Sequence, residues 1–311
     1  MDIYEQSIEQ FSRITSLNAW EEAQALFHRV AVEKPSHWLL PVRACEAVGG
    51  RPEQAVPALT TVGCAHVSII LVDDMLDSDP RGEYQRIGAP AAANLACAFQ
   101  AASLEVIFQS ESESLVRSLA FVDFNQMYLM TALGQFLDVQ CPDDEESYWR
   151  MVRTKSSPFF GTALHIGALL GGASVETAKR LKELGNLYGE MIQIHDDLND
   201  TMALPANPDW LQGRSPLPIL FAQTVDYPDR SRFLELRGKA TDESALCEAQ
   251  EILIRCGAVS YCVDQLLRRY EIARKALQSV ELAHPESIET LLEEVVAPVW
   301  KLFDSLEVPS S

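Results

Sequence analysis

HVSIILVDDMLD, residues 66–77, decides how this chain is read. An apolar run ends in three aspartates, Asp73, Asp74 and Asp77. Charge among apolar residues is costly unless it is paired or binds a metal, so the cluster asks for a reason. QIHDDLND, residues 193–200, repeats the arrangement with Asp196, Asp197 and Asp200. On a helix, carboxylates at i, i+1 and i+4 span about 100° of the circumference and project as a group. Either cluster alone reads equally well as a solvated helix end. Two copies with one spacing point to function. Facing one another, they suit several hard divalent cations and the phosphate oxygens those cations bridge. The rest of the chain reads as what holds the clusters opposite each other.

The chain has 311 residues, enough for one large domain or two, and 47% of them are hydrophobic, enough for a sizeable core. A net charge of −20 argues against nucleic acid and anionic membrane as partners. Seven cysteines are scattered with no CxxC pair, which suggests neither a disulfide framework nor zinc and fits a reducing cytoplasm. MDIYEQSIEQF at the start lacks the basic and apolar regions of a signal peptide. GTALHIGALLGGA is too short and glycine-rich to cross a bilayer, and no integral membrane segment is expected.

Periodicity is helical nearly throughout. Residues 3–32 read as one amphipathic segment, broken at Lys34-Pro35-Ser36. His37–Val48 closes on Gly49-Gly50, and the helix from about 53 to Asp77 is apolar on most sides, the mark of a central helix. Further helices are predicted over 90–110, 114–137, 145–155, 158–170, 175–200 (with Ser174 as N-cap), 216–224, 229–238, 242–256, 259–281 and 286–307. There is no alternating strand pattern, internal repeat or linker. The expected architecture is all-α, a single domain over 1–311, with ten or more helices around a central cavity.

Aspartate oxygens suit Mg²⁺, which keeps waters and shares its shell with phosphates. His66 and His195 read as polar lining or satisfied core residues rather than ligands. Diphosphate also needs fixed positive charge. Lys155 stands in apolar surroundings, MVRTKSSPFFGTALHIGALLGG, and either meets an anion or snorkels from a helix start. Arg214 in QGRSPLPILFA and Arg81 after DDMLD are further candidates, each equally readable as a surface arginine.

Together these motifs resemble the trans-isoprenyl diphosphate synthase (polyprenyl synthetase) family, in family order from about residue 35 to 225. ACEAVGG (44–50) looks like its helix-and-glycine segment, and His66 matches a recurrent histidine seven residues before DDMLD. DDMLD matches the first aspartate-rich motif, GQFLDVQ (134–140) a GQxxD segment, and Lys155-Ser156 a Lys-Thr pair. YGEMIQIHDDLND matches the block that ends in the second motif, with Gln193 as its glutamine, and GRSPLPILFA resembles GK-x-TLP-x-x-x-A.

The resemblance implies a Mg²⁺-dependent prenyltransferase that ionises an allylic diphosphate. Asp73, Asp77, Asp196 and Asp200 would be ligands to three Mg²⁺ ions, and Asp74, Lys155, Gln193 and Asp197 would belong to the catalytic set. Arg81, Lys155, Arg214, His66, Ser68 and Ile69 would contact substrate, the last two as the floor of a tunnel sized for a medium-chain product. The acceptor would be isopentenyl diphosphate, in a cytoplasmic homodimer pairing through the Ala-rich 90–109 segment. The departures keep alternatives open. AVEKPSHWLLP replaces the family's GGKRxRP, only Arg81-Gly82 remains of an arginine pair, 201–213 holds no lysine or arginine, and Cys97 stands where aspartate is usual. Arg43, Arg86 and Arg153 are possible substitutes for the missing cations. The metal site looks intact and the second cationic site stripped. That pattern also fits a one-diphosphate enzyme, prenylating a neutral (for example aromatic) acceptor or cyclising a terpene. A non-catalytic partner subunit of a heteromeric synthase is the remaining alternative, against which both intact clusters speak.

Overall fold

The computed structural model describes residues 2–307. These fold into α1 (Ile3–Ser12), α2 (Glu21–Val32), α3 (Leu40–Ala47), α4 (Val56–Asp77), α5 (Glu83–Ile87), α6 (Ala89–Gln109), α7 (Ser114–Val139) and α8 (Glu145–Lys155). They continue with α9 (Ser157–Leu170), α10 (Val175–Met202), α11 (Pro208–Gln212), α12 (Leu217–Thr224), α13 (Arg230–Arg237), α14 (Glu243–Arg255), α15 (Ala258–Gln278) and α16 (Glu286–Glu307). No strand occurs among the described residues, so the fold is all-α.

Local chemistry sets most of the boundaries. Asp2 and Glu5 form a capping box on α1, the Asp144 carboxylate accepts from the Ser147 amide at 2.7 Å, and Ser174 accepts from the Thr177 amide at 3.0 Å. The expected single helix over 3–32 is two. Between α1 and α2 the chain turns, yet Ile14 and Leu17 stay buried there, so the apolar spacing continues while the helix does not. Two short helices escaped the sequence reading, α5 in the loop after DDMLD and α11 in the segment before Gly213.

The chain divides into two compact units. The first is the chain up to Met130 with Pro158–Asn186 and Ala276–Glu289. Its axis is α4, buried on nearly every side as the all-round apolar pattern requires, and packed chiefly on α6 with α1, α2 and α3 around it. The rings of Phe11, Phe27 and Phe99 stack at 4.2 and 5.5 Å from Phe11, and Trp38 lies 5.3 Å from Phe27. Such pairs add about 0.5–1.5 kcal/mol each beyond area burial and fix how the helices that carry them meet. The second unit is Thr131–Ser157, Leu187–Lys275 and the chain from Thr290. Trp210, Ile219, Phe233, Leu246 and Leu253 form a core there, in which α12, α13 and α14 pack on one another.

The segments Pro52–Asp77 and Ala89–Gln109 are each long and apolar enough to cross a membrane, which corrects the expectation that no run reaches that length. Two-thirds (67%) of the first one's apolar window is buried within the protein, where α4 serves as a core helix.

Close helix contact in the first unit depends on glycine. A Cβ at Gly167 on α9 would lie 2.1 Å from the Pro41 carbonyl oxygen of α3. Gly167→Ala is therefore expected to destabilise by about 1–3 kcal/mol through overpacking, read as a lower urea midpoint with an unchanged slope.

Candidate active site

The first acidic cluster ends α4. Ser78, left-handed at φ 54°, stops the helix directly after Asp77. The three aspartates thus sit at the negative end of the helix dipole, where anions are disfavoured by about 0.3–1 kcal/mol each. On the helix, Asp73 and Asp77 lie about 40° apart, and Asp74 about 100° round from Asp73. The Asp74 carboxyl lies beside the backbone amide of Glu83, the first residue of α5. Gly82 makes this approach possible, because a Cβ there would come within 2.7 Å of the Asp74 Cβ. Burial, then Asp79 and Asp73, push the Asp74 carboxyl up to about 6. Arg81 bonds the Asp79 carboxylate through Nε at 3.1 Å and Nη2 at 2.8 Å, and Arg86 pairs with Glu83.

His66 lies two turns before Asp73 and about 20° from it around α4. Its Nδ1 accepts from the Trp38 indole at 3.1 Å, which leaves the neutral ring its proton on Nε2. The His37 ring stands 4.1 Å away and Phe159 6.2 Å. Burial, and then His37, hold His66 well below the usual histidine range; burial alone takes His37 down to about 4. The His37 Nε2 is buried without a hydrogen-bond partner. Both rings are uncharged at neutral pH. Ser68 is buried and donates to the Ala96 carbonyl of α6 at 2.9 Å, about 140° round from Asp73, whereas Ile69 lies about 40° from Asp73.

The second cluster lies near the C-terminal end of α10. Asp196 and Asp200 reach solvent. Asp196 is nonetheless hemmed in by protein, and desolvation followed by the charge of Asp200 pushes it up to about 6, with Lys155 pulling the other way. Asp197 is different. It is buried, and its Oδ2 accepts from the Tyr148 hydroxyl at 2.7 Å and from the Leu217 amide at 2.7 Å. Its Oδ1 accepts from Gln193 Nε2 at 2.8 Å, and Gln193 Oε1 accepts from Ser156 Oγ at 2.5 Å. Lys155 Nζ lies 2.6 Å from Asp138 Oδ2, which Arg214 Nη1 also meets at 3.3 Å. Arg237 donates to the Arg214 carbonyl at 2.8 Å, steadying that loop. His195 Nε2 lies 2.6 Å from the Val295 carbonyl, as suits a histidine satisfied in the core.

Within the second unit, then, Lys155 and Arg214 meet on Asp138, while Gln193 and Tyr148 meet on Asp197, and the two groups adjoin through the consecutive residues Lys155 and Ser156. Sequence reasoning did not single out Asp138 and Tyr148. Tyr148 precedes Lys155 by two helical turns, where an aromatic reads as core, and Asp138 was visible only as part of GQFLDVQ. No ready-made cage of three ligating side chains occurs among the described residues. Each cluster instead offers two carboxylates on one helix face, which fits a hard cation that completes its shell with water and phosphate.

The chain matches the polyprenyl synthetase family over residues 34–253 and belongs to it. It is 29% identical over 265 residues to a short chain isoprenyl diphosphate synthase of Methanothermobacter thermautotrophicus, covering 80% of each chain. It is 28% identical over 256 residues to a geranylgeranyl diphosphate synthase of Methanosarcina mazei, covering 76% of each. Among solved structures, geranylgeranyl pyrophosphate synthetase from Pyrococcus horikoshii superposes with a TM-score of 0.80 over 94% of both chains, at 20% identity. The fold is therefore of the isoprenoid synthase type.

Gly134 on α7 lets Lys155 sit where it does, since a Cβ there would fall 2.2 Å from the Lys155 amide nitrogen. Gly134→Ala is expected to weaken inorganic pyrophosphate binding in Mg²⁺ about tenfold, near 1.4 kcal/mol by calorimetry, while Gly167→Ala leaves that affinity in place.

Proposed function

We propose that this prenyltransferase ionises an allylic diphosphate with Mg²⁺ and condenses it head-to-tail with isopentenyl diphosphate, releasing pyrophosphate. The carrying observation is the pair of exposed aspartates, Asp196 and Asp200, beside the half-buried Lys155 and Asp138 and the buried Arg214. Mg²⁺ held by Asp73, Asp77, Asp196 and Asp200 would neutralise the departing diphosphate. Lys155 and Arg214 add fixed positive charge that needs no reorganisation as the leaving group gains charge. Apolar helix faces keep water from the allylic cation. Relatives named for geranylgeranyl and octaprenyl products bracket the medium chain length we assign, and Ile69, on the Asp73 side of α4, is the floor residue the geometry favours.

A second reading, transfer to a neutral acceptor or cyclisation, is favoured by the uncharged His37–His66 pair on the Asp73 side of α4. Incubation with Mg²⁺ and farnesyl diphosphate, with and without isopentenyl diphosphate, separates the two. Elongation releases pyrophosphate only with the second diphosphate present; equal release without it supports the other reading. Asp73→Ala and Asp196→Ala should each lower turnover by at least about a hundredfold, the scale of removing a group that stabilises transition-state charge. Full activity in either variant contradicts the metal assignment.

We assign a homodimer and a cytoplasmic location. Along α7, Leu115, Val122, Leu129 and Phe136 recur every seven residues and are 59–63% exposed, a stripe suited to pairing with a second copy; Phe108 at the end of the Ala-rich α6 is 70% exposed. Seven unpaired cysteines accord with a reducing compartment. Light scattering should give twice the 34.6 kDa chain mass, and Val122→Glu with Leu129→Glu should give the monomer.

A further inference from the structure

The loop that carries Arg214 has little of its own to hold it. It runs from α11, a helix of five residues, to Pro216, which caps α12. Gly213 at its start is left-handed at φ 72°, with open space where a Cβ would stand. Backbone carbonyls in such a loop need donors. Those of Gly213 and Arg214 find theirs in one side chain, Arg237, from the last turn of α13. Its Nη2 donates to the first at 2.5 Å, to the second at 2.8 Å, and to the Ser215 hydroxyl oxygen at 3.3 Å.

The sequence of α13 suits this task. Phe233 and Arg237 are four residues apart and share a face of the helix. Phe233 is buried in the core of the second unit, where its ring meets that of Trp210 on α11 at 6.3 Å. One face of α13 thus holds α11 through an aromatic contact and the following loop through hydrogen bonds. Arg237 is also unlike a surface arginine. Arg232 on the same helix is exposed and pairs with Glu235 and Glu248. Arg237 is half-buried, and no carboxylate pairs with it among the described residues. Burying a cation without a counter-ion is costly. Its bonds to the loop and the negative end of the α13 dipole offset part of that cost.

We propose that Arg237 is a positioning residue for the diphosphate: by holding the Gly213 and Arg214 carbonyls it fixes the backbone from which the Arg214 guanidinium is aimed. This rests on the diphosphate reading of the site. Arg214 is buried, and its Nη1 lies 3.3 Å from Asp138 Oδ2, which Lys155 shares. A group that must meet a ligand in one place works best when what supports it is fixed beforehand. Without Arg237 the two carbonyls lose the donor they share, and the loop moves to satisfy them with water, carrying Arg214 with it. The pattern also says which substitute works. All three bonds radiate from one nitrogen. A lysine ammonium offers three donors at one nitrogen and can take over, whereas methionine supplies length and no donor.

The test measures inorganic pyrophosphate binding in Mg²⁺ by calorimetry. It compares Arg237→Met, Arg237→Lys, Arg214→Met, the double variant Arg214→Met with Arg237→Met, and Arg232→Met. Arg214→Met should weaken binding about twentyfold, the scale of one charge-assisted hydrogen bond. Arg237→Met should weaken it about fivefold, and Arg237→Lys should return it to within about twofold of the unsubstituted chain. In the Arg214→Met background, Arg237→Met should add less than about twofold, because it acts through Arg214. Arg232→Met removes a positive charge from the same helix and should change affinity by less than about twofold, which separates aim from net charge. Unchanged affinity in Arg237→Met, equal losses in the two backgrounds, an equal loss in Arg232→Met, or lysine no better than methionine overturns the proposal and leaves the diphosphate reading standing. If Arg214→Met leaves pyrophosphate affinity unchanged, the diphosphate reading of Arg214 itself falls, and the proposal with it. If Arg237→Met fails to fold, Arg237→Gln, polar but too short to span both carbonyls, takes its place in each comparison.

Discussion

Negative charge placed at the negative end of a helix is the constraint on which this protein is built. α4 ends in three aspartates, and α10 carries three within its last two turns. The helix dipole opposes them, they repel one another, and partial burial raises Asp74 and Asp196 to about 6. Left alone, such ends would cost stability. A divalent cation reverses every one of these terms at once, which is why the clusters make sense as cation sites and poorly as decoration.

The scaffolding around them resists that unfavourable charge. In the first unit an all-round apolar α4 is packed against α6 and steadied by the stacked rings of Phe11, Phe27 and Phe99. In the second, the Asp197 network does the equivalent work with hydrogen bonds. Arg269 adds to it, lying 3.6 Å over the Trp149 ring beside Tyr148 while bonding Glu190 at 2.7 Å. Both units therefore hold their acidic residues on elements whose own positions are over-determined, and a site that must keep its geometry before a substrate arrives requires this.

Much of this was legible in the sequence. The helices, the cap at Ser174, the centrality of α4 and the two clusters all follow from spacing and residue type, because each is local. What escaped was of two kinds. The turn between α1 and α2 stayed hidden because Ile14 and Leu17 continue the apolar period through a non-helical stretch. The partnerships of Asp138, Tyr148 and Asp197 stayed hidden because they join residues 17 to 76 positions apart, and no local pattern encodes such pairs. The donation of the Ser68 hydroxyl to the Ala96 carbonyl is another such long-range pair. The resemblance correctly named the family; it could not say that Tyr148, Gln193 and the Leu217 amide hold Asp197.

The central claim is that the clusters are cation-deficient until Mg²⁺ and diphosphate arrive together. Thermal unfolding with Mg²⁺ alone, inorganic pyrophosphate alone, and both at once tests it most directly. A ligand that binds the native state at a hundred times its Kd stabilises by about 2.7 kcal/mol. The account predicts a rise in Tm of several degrees with both together, well beyond the sum of the separate shifts, and its loss in Asp196→Asn. Additive or absent shifts in the unsubstituted protein would contradict it.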